Sequence, residues 1–298
     1  MNRLTTVERA QLVTLLVEGN SIRATSRISG IAYSTVIKFV ADIGRACLEF
    51  QDKTIRNVKA TRVQADEIWA FCYAKDKNIP DGMRGQPGVR SIWTWVALDA
   101  DSKLAISWFV GDRNAGAASV FLTDAASRLA NRVQLTTDGH EAYLRAVESA
   151  FGNEIDYAML EKIYGPSPDG EKRYSPAECI GCKRHIQTGH PDPDHISTSF
   201  VERSNLTMRM SMRRFTRPTN GFSKKIENHA HSIALHFMWY NFGRVHNSLR
   251  VTPAMEAGIT DHVWTPAEVA ELLGAIESQK PRKRGPYKVR FVASLSPV

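Results

Sequence analysis

The stretch RVQADEIWAFCY, residues 62–73, decides the architecture. Its β-branched and aromatic residues are those of a strand, yet Asp66 stands in its middle. A carboxylate removed from water without a partner is costly or is driven to protonate. An acid in this setting therefore asks for a cation; the alternatives are a salt bridge or a strand edge open to water. Glu67 points to the other face and is the weaker candidate ligand.

Working towards the C-terminus, SIWTWVAL at 91–98 alternates, with Ile92, Thr94, Val96 and Leu98 on one face and Trp93 and Trp95 on the other. A third strand is expected at 104–110, joined to it by the turn Asp99-Ala100-Asp101-Ser102. Residues 117–129 read as a helix with Phe121, Leu122, Ala125 and Leu129 inward, and 133–137 as a short strand running into Asp138-Gly139. Three meandering strands, a helix and a strand are how an RNase H-like core begins. The fold class expected is α/β, an RNase H-like mixed sheet flanked by helices. Asp138 ends its strand, where ligands gather in open α/β sheets; an Asp-Gly turn or a helix N-cap accounts for it equally.

Working towards the N-terminus, residues 1–50 carry a helix-turn-helix pattern. Helices are expected at 7–18 and 22–29, with Ser26 at the crossing, Gly30 in the turn, and a third helix starting near Tyr33. Val36 and Phe39 would face inward, leaving Ser34, Thr35 and Lys38 for a DNA groove; any three-helix bundle shares the pattern. The catalytic domain is expected over 60–262, with an irregular insertion at about 152–197 rich in turn-formers (GPSPDG, HPDPDH). Beyond it, 200–214 reads as one helix. Ser223 would cap a second, in which Ile226, Ala230, Ile233, Phe237 and Tyr240 recur at helical spacing. Residues 263–298 read as a C-terminal helix and a basic tail.

Glu202 lies near the start of the 200–214 helix, with Asn205 and Arg209 on its face. Arg203, Arg209, Arg213, Arg214 and Arg217 spread round that helix and its exit. Residues 203–225 hold seven Lys or Arg and no acid, and 280–290 hold six and no acid, within a net charge of +8. A polyanion suits such blocks, because neutralised phosphates release counterions; a merely solvated basic surface is the alternative. Hydrophobic residues make up 43% of the 298, enough for a core. No apolar run is long enough to span a membrane, and no secretory signal is apparent. A cytoplasmic, nucleoid-associated protein is expected. Four cysteines are too few for a disulfide scaffold.

At these residues the chain resembles bacterial insertion-sequence transposases of the DDE class, most closely the insertion-sequence-one type. The matching pieces are DEIW around Asp66, TTDGHEAY around Asp138, VERSNLTMRMSMRRFTR around Glu202 and YNFGRVHNSLRVTP from Tyr240 to Pro253. The similarity as a whole covers about residues 20–262. The resemblance implies an integrase-like core, a catalytic and metal-binding triad of Asp66, Asp138 and Glu202, and two Mg²⁺ or Mn²⁺ ions. It implies cleavage at transposon ends and attack of the freed 3′-OH on target DNA, by at least a dimer. Asn205, Arg209, Asn241, Arg244 and His246 match the family's accessory polar positions. One departure is the spacing of 64 between Asp138 and Glu202, longer than many integrase-like cores have.

Two readings stay open beside this one. Cys179-x-x-Cys182, followed by His185, His190 and His195, offers a zinc set, although the spacing is irregular and no second CxxC exists. A turn in a reduced flap is the plainer account. For function, a helix-turn-helix DNA-binding regulator with an inactive nuclease-like domain is the alternative to the transposase, as is a nuclease that cuts without joining. The histidines His229, His231 and His236 read as ordinary helix residues.

Overall fold

The structure is a computed structural model that describes residues 4–86, 88–165, 178–216 and 220–279. Three helices open the chain: α1 (Thr6–Val17), α2 (Ile22–Ser29) and α3 (Tyr33–Thr54). Strands β1 (Arg62–Cys72), β2 (Arg90–Asp99) and β3 (Ala105–Gly111) follow. Next come α4 (Ala115–Arg128), β4 (Gln134–Asp138), α5 (Ala142–Phe151), β5 (Asp156–Tyr164) and β6 (Cys179–Thr188). Helices α6 (Ser199–Ser211), α7 (Ile226–Met238), α8 (Pro253–Glu256) and α9 (Pro266–Gln279) close it. Among the described residues no helix is long and apolar enough to cross a membrane.

The six strands form one mixed sheet in the order β3-β2-β1-β4-β5-β6. β1, β2 and β3 pair antiparallel, β1, β4 and β5 pair parallel, and β6 returns antiparallel to β5. The alternation of β1 sorts its side chains between two layers. Ile68, Ala70 and Cys72 pack with Val201 and Met208 of α6 and Ile233 and Phe237 of α7. Ala65 packs with Trp95, Phe121 and Tyr143 under α4 and α5.

The N-terminal helices follow the expected pattern locally. Ser21 caps α2, Gly30 ends it at φ 72°, and Ser26 donates from Oγ to the Ile31 carbonyl at 2.7 Å. Val36 and Phe39 are buried. These helices do not keep a core of their own, however. Leu12, Val13, Phe39 and Ile43 belong to one apolar cluster with Trp95, Leu235 and Met238. α3 runs 22 residues and lies along α7. Gly44 marks the crossing, where a Cβ would collide with the His231 backbone. Gln51 donates across it to the Ala234 carbonyl at 3.0 Å.

Three expectations need correction. The segment at 152–197 is not irregular where it is described, since β5 and β6 occupy much of it. Tyr157, Ala158, Met159 and Leu160 are buried, so β5 is an inner strand; the turn-formers on either side drew the reading away from it. Next, α6 ends at Ser211 rather than 214, because Met212 turns extended and Met212 and Phe215 fold into the core. Finally, Ser223 does not cap α7, whose N-cap is Lys225 without a side-chain bond. Ser223 is buried, accepting from Arg214 and pairing with His229 Nδ1 at 2.9 Å. The basic tail lies outside the described residues.

Candidate metal centre

Register brings the first two acids together. Ala65 of β1 pairs with Thr137 of β4 in parallel, so Asp66 and Asp138 are the next residues along adjacent strands, which run roughly 4.8 Å apart. Each of Asp66, Glu67 and Asp138 offers an oxygen within 4.8 Å of the others. No other group of this kind occurs among the described residues.

Each acid is held differently. Asn205 Nδ2 of α6 donates to Asp66 Oδ2 at 2.8 Å. Glu67 stands opposite Trp95, on the other side of β1 as its alternation requires. Its buried side chain accepts from Arg113 Nε at 2.5 Å and from Tyr143 Oη at 2.9 Å. Asp138 is half-buried, accepts from the His140 amide at 3.0 Å and lies 3.6 Å from Arg113 Nη2. α6 is seated over β1 by Gln64, whose Oε1 accepts from the amides of Phe200 and Val201 at 2.8 and 3.1 Å. That anchor fills part of the helix's unmet N-terminal donor capacity and sets where Glu202 and Asn205 stand.

The electrostatics leave the cluster short of positive charge. Burial, then the charges of Glu67 and Asp138, push the Asp66 carboxyl up to about 7. Burial and Asp138 also raise Glu67, against the pull of Arg113 and Tyr143. One guanidinium thus faces three carboxylates. Hard oxygen donors with uncompensated charge are what Mg²⁺ or Mn²⁺ takes, so the residues fit such an ion.

Glu202 is near enough for its charge to raise Asp66, but stands outside the mutual 4.8 Å group. Its carboxylate is occupied by Lys162 Nζ of β5 and by Thr198 Oγ1, the latter at 2.5 Å. The sequence reading ranked Glu67 as the weaker ligand and did not single out Arg113, Tyr143 or Lys162. Alternation correctly put Glu67 on the far face, but its longer side chain still brings an oxygen to the group.

The remaining candidates divide. Asn205 touches the site. Asn241 does not: it is buried in a π-helical turn, Trp239–Gly243, and its amide clamps the Ala105 backbone N–H and carbonyl, both at 3.0 Å. Arg209 is exposed on the last turn of α6, and Arg244 donates to Ser211 Oγ at 3.2 Å. His246 Nδ1 pairs with Ser248 Oγ; burial, with the cations Lys103, Arg203 and Arg244 nearby, holds its pKa below the ordinary value. Ser34, Lys38, Arg203 and Arg213 are exposed and Thr35 is half-buried. Arg214 is turned inward onto Ser223, against the expectation of a surface phosphate contact. Arg217 lies outside the described residues.

The zinc set is not assembled. Cys179 and Cys182 are exposed free thiols on β6, and His185 is drawn to Glu161, 3.1 Å away. The two thiols lie close to each other across the irregularity in β6, but among the described residues no third ligand atom joins them.

No family model and no curated protein matches the chain. Among solved structures, it is similar to a "Mos1 transposase paired-end complex with left transposon end" at 14% identity and TM-score 0.21, over 50% of this chain. It spans 58% of the length of that protein. A Mos1 mariner paired-end complex with Mn aligns over 80% of this chain and 77% of that one, at 12% identity and TM-score 0.26. A pre-cleavage Mos1 transpososome aligns over 80% and 79%, at 10% identity and TM-score 0.23. At these scores the similarity carries no argument, and the geometry of the acids has to stand by itself.

Proposed function

We propose that the chain is a metal-dependent DNA-cutting and DNA-joining enzyme, a DDE transposase of the insertion-sequence type. The observation that carries this reading is the placement of Asp66 and Asp138 on neighbouring parallel strands, with Glu67 in the same group and too little positive charge around them. The strand order β3-β2-β1-β4-β5 supports an RNase H-like core. Asp66 and Asp138 would hold Mg²⁺ or Mn²⁺, with Glu202 joining once released from Lys162. Bound there, a pair of such ions stabilises the attacking and leaving oxygens of an in-line phosphoryl displacement.

The chain's own residues have the remaining tasks. Asn205 fixes the Asp66 carboxylate, Arg113 and Tyr143 hold Glu67, and Gln64 seats the helix that carries Glu202. Arg203, Arg209 and Arg213, with Ser34 and Lys38 on the N-terminal helices, would contact DNA phosphates, and their exposure is consistent with that role. Working on paired ends would require at least a dimer.

The pairing of Glu202 with Lys162 favours a second reading, a DNA-binding protein whose third acid is neutralised and which does not cut. Nicking of supercoiled DNA with Mg²⁺ or Mn²⁺, and joining of a pre-cut 3′-OH end to a plasmid, decides between them. The transposase reading expects both activities, and loss of at least about 100-fold on Asp66→Asn or Asp138→Asn with DNA binding retained. Absence of metal-dependent nicking in a folded, DNA-bound wild type leaves only the second reading.

A further inference from the structure

A cavity of about 620 Å³ separates α2 and α3 from the turn between α6 and α7. This lies within the range of about 300–1,000 Å³ usual for small-ligand sites. One wall is apolar, with Ile22, Ile37 and Val40. The other carries Arg213, Arg214 and Lys224, and Arg23 lies at the mouth beside Tyr33. No Asp or Glu lines the cavity. None of the four cations is ion-paired with a carboxylate among the described residues.

Arg214 is the centre of this arrangement. It is half-buried, and partial loss of water draws its pKa down to about 10. It donates once, from Nη1 to Ser223 Oγ at 2.6 Å. Ser223 in turn pairs with His229 Nδ1, so the guanidinium is held from behind while its other donors are unspent. A guanidinium fork with free donors matches a phosphate's oxygens in pairs.

We propose that this cavity binds a nucleotide, its phosphate on Arg214 with Arg213 and Lys224 around it, and its base against the apolar wall of α2 and α3. The site is separate from the acidic group and does not depend on the catalytic reading. The nucleotide is either free or part of a nucleic-acid strand, since both present the same phosphate and base.

The test uses the full chain in EDTA, with dAMP, inorganic phosphate and a short single-stranded oligonucleotide as probes. Thermal shift and competition against a fluorescent nucleotide give the readout. Wild type is expected to bind dAMP more tightly than phosphate. Arg214→Met should weaken dAMP at least tenfold while the ligand-free chain stays folded, losing only the bond to Ser223. Ser232→Phe, which fills the cavity from α7 and gives up only a bond to the Asn228 carbonyl, should also abolish binding and stands in if Arg214→Met does not fold. Asp66→Asn should bind as wild type does. Competition by the oligonucleotide at matched phosphate concentration marks a strand site, and its absence a free-nucleotide site. Failure of wild type to bind dAMP, or undiminished binding in Arg214→Met or Ser232→Phe, overturns the proposal.

Discussion

Replacing Asp66 by Asn should stabilise the metal-free protein, and by an amount that depends on pH in a defined way. The folded-state carboxyl titrates at about 7 against an ordinary 3.8. The fold therefore favours the protonated acid. Stability from this group is greatest at low pH, falls as pH rises from about 4 to 7, and is flat above. At about 1.4 kcal/mol per pH unit, ionised Asp66 costs the fold on the order of 4 kcal/mol at pH 8, about 2 at pH 5 and under about 1 at pH 4. Asn at this position removes that cost and keeps the local bonding. Its oxygen can still accept from Asn205 Nδ2. Urea unfolding of both proteins in EDTA at pH 4, 5, 6.5 and 8 measures the difference. Mg²⁺ or Mn²⁺ should then stabilise wild type and not the variant, closing the gap at pH 8. A variant less stable than wild type at pH 8, or a gain that does not change with pH, would refute the account of an under-neutralised cluster.

Two further perturbations test the frame around the site. Lys162→Met frees the Glu202 carboxylate at little cost in stability, under about 1 kcal/mol because the pair is partly exposed. Mn²⁺ affinity by calorimetry should rise several-fold, and an unchanged affinity would remove Glu202 from the ligand set. Gly44→Ala would ordinarily help a helix by about 1 kcal/mol, but here the new methyl meets the His231 backbone. A net loss of roughly 1–3 kcal/mol in urea unfolding is expected, and a gain would mean that α3 and α7 do not pack this closely.

What could be read in the sequence was what depends on local pattern. The β1 strand, its interruption by Asp66, the strand ending at Asp138, and the turn from Ser26 through Gly30 are all local, and each stands where the pattern put it. What escaped depends on contacts between distant parts of the chain. Tyr143 reaches Glu67 across 76 positions, and Lys162 reaches Glu202 across 40. Tyr143 closes the TTDGHEAY motif without a sign of its partner, and Lys162 carries no mark in its own neighbourhood. Arg214 differs from the reading in place only: a run of arginines suggests an open, solvated face, and the turn that begins at Met212 carries this one inward to Ser223. Asn241 entered only as a match to the family's accessory positions; its amide holds the Ala105 backbone, a contact its own neighbourhood does not announce.

The two unusual charge environments have opposite sign and one physical logic. In the acidic group, three carboxylates share one guanidinium; in the cavity, four cations share no carboxylate. The cost to the folded chain is greatest where charge is taken from water, at Asp66, and smaller in the cavity, where Arg214 is half-buried and the other three cations are exposed. Single substitutions could relieve both, so their presence is understood if a ligand supplies the missing charge. Helix α6 links them. Its first turn carries Glu202, and its end at Ser211 lines the cavity, so its thirteen residues span about 20 Å between the two. A cation at one end and a phosphate at the other would each remove repulsion from an element anchored on β1 by Gln64. Each ligand should therefore raise the stability of the chain by itself, and the acidic-site and cavity variants should each abolish only their own effect.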